Sequence, residues 1–130
     1  MRFPIVLSLA GALVSVIPLA AHHTSAYIYD VQKPVALRGT VTEVEWKNPH
    51  VLVHVNGKTE DGRLGLWTLE GRAAYIMKRQ GMEQDFVRAG DNVAVTVCLA
   101  KDGSYQAGLQ SIDLANGTTK WVGECLPQRP

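Results

Sequence analysis

Beyond residue 34, hydrophobic and polar positions alternate with a period of two in several separate runs. That period belongs to strands with one buried face. Val35, Leu37, Gly39 and Val41 keep one phase, and Val44 and Trp46 take the other. The phase slip predicts one long strand, Val35 to Trp46, bent by a β-bulge. Asn48-Pro49 ends it, because proline has no N–H to donate to a ladder. Val51, Val53 and Val55 alternate with His50, Leu52 and His54 in a second strand, and Asn56-Gly57 and Asp61-Gly62 read as turns. Leu64 to Glu70 makes a third strand.

The period changes to that of a helix only over Arg72 to Gln80. Ala73, Ile76 and Met77 form its apolar stripe, Lys78 and Arg79 sit in its last turn, and Gly81 suits the cap. Val93, Val95 and Val97 define a fourth strand. Lys101-Asp102-Gly103 turns the chain into a fifth, Tyr105 to Leu114, and Asn116-Gly117 starts a last short one ending near Trp121. His22 to Pro34 reads as an irregular lead-in. Three strands, a helix and two strands predict a mainly β chain, an OB-fold-like five-stranded barrel with one helix between strands 3 and 4. An open sheet or sandwich with one covering helix is the alternative.

The first residues follow another rule. Met1-Arg2 is a minimal positive end, Ile5 to Leu19 is an apolar run, and Leu19-Ala20-Ala21 is a small-residue exit. This is the layout of a signal peptide over 1–21, cut after Ala20 or Ala21, which leaves 22–130 as a single domain in the periplasm or secreted. The run contains Pro18 and is shorter than the ~20 apolar residues of a membrane span, so no span is expected after cleavage. The 130-residue chain carries 13 Lys and Arg against 12 Asp and Glu. Arg2 is the only charge in the leader, so the mature chain is balanced. Balance argues against nucleic acid, whose phosphates call for a basic face. Cys98 and Cys125 are the only cysteines. In an exported chain they predict one disulfide, the alternative being two separate thiols. No CxxC marks a thiol–disulfide oxidoreductase.

The residues that carry chemistry are the histidines His22, His23, His50 and His54. A cut after Ala21 makes His22 the first residue, whose free amine and ring chelate one ion as in a histidine brace. A cut after Ala20 gives Ala21-His22-His23, in which a third-position histidine, the amine and two backbone amides wrap the ion in a square. Both arrays of nitrogens suit Cu(II), and the α-amino pKa near ~8 makes its deprotonation cheap. His50 and His54 lie four residues apart on one strand face, roughly 13 Å at the strand rise, too far for one ion. His50, beside the Asn48-Pro49 break, is the expected further ligand, and His54 a surface or core residue.

Acidic residues show no pairing for acid–base work. Glu45 and Glu70 end apolar strands, where they either line a site or are solvated. Ser25 has no GxSxG setting, no glycine loop cradles phosphate, and Trp46, Trp67 and Trp121 read as packing residues. The leading expectation is a copper carrier or buffer using His22, His23 and His50. The second is a non-metal module that binds a protein or envelope component through a barrel face. A copper oxidase or oxygenase comes third.

Ala21-His22-His23-Thr24-Ser25, Tyr29-Asp30, Lys33-Pro34-Val35, Gly39-Thr40-Val41 and Glu45-Trp46-Lys47-Asn48-Pro49-His50 together resemble a family of small exported bacterial proteins known only as a domain of unknown function. That family has an Ala-His-His-Ser-like start and a Glu-Trp-x-Asn-Pro-His motif. Here Thr24 stands where the family pattern has serine, and Cys98 and Cys125 lie outside that pattern. The resemblance implies export and one domain, and supplies no activity.

Overall fold

The computed structural model describes residues 24–125, with side chains from Ala26 onward. A short helix, α1 (Thr24–Ile28), runs into the long strand β1 (Tyr29–Glu45). There follow β2 (Leu52–Thr59), β3 (Leu64–Glu70), the helix α2 (Ala74–Arg79), β4 (Asn92–Ala100), β5 (Gln106–Asp113) and β6 (Thr119–Trp121). The chain is mainly β. Its six strands form one sheet in the order β3-β2-β1-β4-β5-β6, and a parallel pairing of β3 with β5 closes that order on itself.

Periodicity explains the core. Leu37 and Val41 of β1, Val53 and Val55 of β2, Trp67 and Leu69 of β3 and Val93, Val95 and Val97 of β4 are buried on one face. Met77 of α2 is buried in the same cluster. At ~1.5–3 kcal/mol for each large side chain fully buried, this face is the main source of stability. The register of β1 against β2 slips between Val41 and Glu43, where the sequence changes phase.

Two expectations need correction. Asn56-Gly57 is no turn but lies inside β2. Gly57 pairs with Gly39 on one side and Gly65 on the other, a row of three glycines across β1, β2 and β3. A Cβ on Gly39 would stand 2.3 Å from the Asn56 carbonyl oxygen, and one on Gly57 2.5 Å from that of Arg38. Gly39 and Gly57 permit close backbone approach of β1 and β2, and Gly65 makes room for the Tyr105 ring. The lead-in is also not irregular from Tyr29 onward. Tyr29 pairs with Ala100 and Pro34 with Cys98, with a register shift between them. Polar Asp30, Gln32 and Lys33 hide the alternation of Tyr29 and Val31, both buried.

Those two residues belong to a second, smaller cluster with Cys98, Ala100 and Cys125, against which Ala26 packs. Successive strand residues point to opposite faces, so Cys98 and Ala100 face away from Val97 and the main core. Cys98 and Cys125 form a disulfide, their Cα atoms 5.8 Å apart. Among the described residues no helix is long and apolar enough to cross a membrane.

Candidate metal centre

His50 sits between the Asn48-Pro49 break and the start of β2. Val51 donates its N–H to the Arg72 carbonyl and accepts from the Gly71 N–H. This fastens the start of β2 to the end of β3 and brings His50 beside Glu70. The His50 Nδ1 lies 3.1 Å from the Gly71 carbonyl oxygen and 3.1 Å from Glu70 Oε1. Both neighbours only accept, so Nδ1 carries the proton.

The other oxygen of Glu70, Oε2, accepts a hydrogen bond from the Tyr29 hydroxyl. Tyr29 is buried, and its pKa is pushed well above the ordinary tyrosine value. Burial is the largest cause, followed by the hydrogen bond to Glu70 and the negative charge of that carboxylate. The phenol therefore stays a proton donor and holds Glu70 in place.

Glu124 comes from the far end of the chain, in a turn after β6. Its N–H donates to the Leu109 carbonyl at 3.0 Å, and Gly123 before it has a φ of 80°. One ligand atom each from His50, Glu70 and Glu124 lies within 4.8 Å of the others. All three residues are partly buried. With metal–ligand bonds of ~2.0–2.2 Å, the 3.1 Å separation of His50 Nδ1 and Glu70 Oε1 would subtend about 90–100° at an ion between them. That angle suits a tetrahedral or a square array once Nδ1 gives up its proton.

His22 and His23 lie outside the described residues. Next to them in sequence is α1, tied down where the Ile28 carbonyl accepts from the Lys101 N–H and the Ala26 carbonyl from Lys101 Nζ. His54 is in a different setting from His50. Its Nε2 is 2.7 Å from Glu45 Oε1 and its Nδ1 3.2 Å from Thr68 Oγ1, so both ring nitrogens are engaged. Glu45 is held below the usual carboxylate range by hydrogen bonds from Lys47 first and His54 second.

Of the residues that carry the site, Glu70 stands out in the sequence only as an acidic strand end. Glu124 was missed. Its one signal is adjacency to Cys125, since a bridge to Cys98 brings the residue next to it onto the sheet. The tryptophans differ: Trp67 is fully buried, Trp46 packs against Phe86 with ring centroids 6.0 Å apart, and Trp121 is exposed. An open groove along Arg38, Gly39, Thr40, Asn92 and Asp113 shares no residue with the His50 cluster.

Residues 11–110 match the profile of a family of unknown function (DUF6152), and the chain belongs to that family. The match includes His22, His23, His50 and Glu70 and stops short of Glu124. No curated protein and no solved structure matches the chain.

Proposed function

We propose that this member of the DUF6152 family is an exported metal-binding protein that carries or buffers a divalent transition-metal ion, copper foremost. Its ligands are His50, Glu70 and Glu124, joined by His22 or His23 of the mature N-terminus. The observation that carries the reading is the convergence of His50, Glu70 and Glu124 at the end of the sheet where the N-terminal segment joins it. Tyr29, the first residue of β1, already bonds to Glu70. The five residues of α1 before it span only about 7–8 Å at the helical rise. In the sequence His23 immediately precedes α1.

A mixed set of imidazole, amine and carboxylate donors takes Cu(II) most tightly of the common first-row divalent ions, with Zn(II) behind it. Export is supported by the leader over 1–21 and fits a disulfide, which persists in oxidising compartments. The OB-fold reading of the sheet is supported by the closed order β3-β2-β1-β4-β5 and by α2 between β3 and β4. On that fold a second reading is a module that binds a protein or envelope component. The exposed Leu64 and Leu66, which alternate with Gly65 and Trp67 and so share the outer face of β3, favour it.

The test is a Cu(II) titration, with Zn(II) in parallel, of chain purified from the periplasm with its N-terminus sequenced. The His50→Ala variant is run beside it. One-to-one Cu(II) binding that the variant weakens at least tenfold supports the site. Tight binding indifferent to His50 reduces it to a generic N-terminal chelate. Binding no tighter than about micromolar sinks the metal reading and leaves the interaction module.

A further inference from the structure

We infer that the Cys98–Cys125 disulfide delivers Glu124 to the metal centre, so that the centre is complete only in the oxidised chain. This rests on the metal-binding reading above and adds to it a ligand and a control.

Glu124 lies between two buried anchors. Val122 sits in the main core, and Cys125, bonded to Cys98 of β4, sits in the second cluster. The backbone between them is no strand. It is held where Val122 and Gly123 each donate an N–H to the Gln110 carbonyl at 2.9 Å and Glu124 donates to Leu109. Arg72 adds a bond to the Gly123 carbonyl at 3.2 Å. Only the disulfide holds the segment covalently, and it does so one residue from Glu124.

The bridge also sits against a second member of the site. A Cβ placed on Gly108 would lie 3.1 Å from the Cys125 Cβ and 3.1 Å from the Tyr29 ring. Cys125 and Tyr29 thus pack on the same patch of β5 backbone, which has no side chain there to separate them. Tyr29 in turn fixes Glu70. The disulfide bears on Glu124 through the chain and on Glu70 through Tyr29.

Reduction by a dithiol would take two electrons and two protons to open the S–S bond to two thiols, the dithiol becoming a disulfide. One anchor of Glu124 is then lost, and in a chain that has not been oxidised the remaining ligands act without a fixed Glu124. Metal capture follows export rather than preceding it.

The experiment is a four-cornered cycle of Cu(II) affinity: wild type, Glu124→Gln, Cys98→Ala/Cys125→Ala, and all three substitutions together. Thermal melts by circular dichroism establish that each is folded at the titration temperature. C98V/C125A, which refills the buried volume, replaces the alanine pair if that pair does not fold. Glu124→Gln is expected to weaken Cu(II) about tenfold with the disulfide present and less than twofold without it. The cysteine pair alone is expected to lose about tenfold. An equal loss from Glu124→Gln in both backgrounds overturns the inference, as does wild-type affinity in the cysteine variant. If Glu124→Gln is silent while His50→Ala is not, the metal reading stands and this inference falls. No binding by wild type removes both.

Discussion

Tyr29 and Glu70 are 41 positions apart in sequence and joined by a hydrogen bond, the buried phenol donating to the carboxylate. The bond ties the first residue of β1 to the last of β3. Tyr29→Phe keeps the ring in the second cluster and removes only the donor. A hydrogen bond to a charged group contributes ~1.5–3 kcal/mol, so the variant is expected to lose about 2 kcal/mol in urea unfolding. Glu70 then loses its second anchor, and Cu(II) affinity falls less than in His50→Ala. A variant as stable as wild type would show that the bond contributes nothing net.

The same phenol is expected to contribute to alkaline stability. Its pKa is raised in the folded chain and ordinary, near ~10, in the unfolded one. Between those values the unfolded chain has released a proton that the folded chain keeps. The contribution of Tyr29 is therefore fully present below pH ~10 and is lost as pH rises through the folded value. Unfolding free energy measured from pH 8 upward should decline beyond ~10 in wild type, and the decline should be shallower in Tyr29→Phe. Parallel curves would place the alkaline loss elsewhere.

Local patterning made the strands legible, and long-range pairing hid the site. The spacing of Val51, Val53 and Val55 and of Val93, Val95 and Val97 predicts strands because each residue answers to a single core face. The phase slip between Val41 and Val44 marks the bulge for the same reason. Asn56-Gly57 misleads because a glycine needed for close backbone contact is indistinguishable, in one sequence, from a glycine needed for a turn. His50 was legible through its position after Asn48-Pro49. Glu70 and Glu124 were not, because their meeting depends on β3 ending beside the start of β2 and on the last turn lying back against β5. No spacing rule connects positions 50, 70 and 124.

The disulfide closes a separation of 27 residues between two fully buried cysteines. Chain-entropy reasoning gives a loop of that size ~2–4 kcal/mol. Cys98→Ala/Cys125→Ala is expected to lose that much unfolding free energy, read as a lower urea midpoint, without a change in the far-ultraviolet spectrum at low urea. A variant that retained the wild-type midpoint would mean that backbone bonds and packing alone hold the last turn.

The glycine row makes a sharper demand than the turn glycines. A methyl group on Gly39 or Gly57 meets backbone oxygen at 2.3 or 2.5 Å, and backbone in a central pair of strands cannot swing aside as a side chain can. Gly39→Ala and Gly57→Ala should each cost at least ~1–3 kcal/mol, the range of overpacking. Gly81→Ala meets nothing within 4 Å and carries only the penalty of a positive φ, 84°, ~1–2 kcal/mol. The ordering in thermal melts, with both sheet variants below Gly81→Ala, is the result to check.

The two histidines near the start of β2 should behave oppositely toward metal. His54 has both ring nitrogens occupied, by Glu45 and Thr68, and Glu45 is bonded to Lys47 as well. Taking up an ion there would break two of these bonds and leave Thr68 facing a metal-bound ring that no longer accepts. At His50 one nitrogen is held between Gly71 and Glu70, and the carboxylates that would share an ion with it are already in place. His54→Ala should therefore leave the Cu(II) affinity within about twofold of wild type, whereas His50→Ala lowers it at least tenfold. Equal losses in the two variants would move the centre off the Glu70–Glu124 end of the sheet. A loss confined to His54→Ala would place the ion beside Glu45, with Lys47 displaced to admit it.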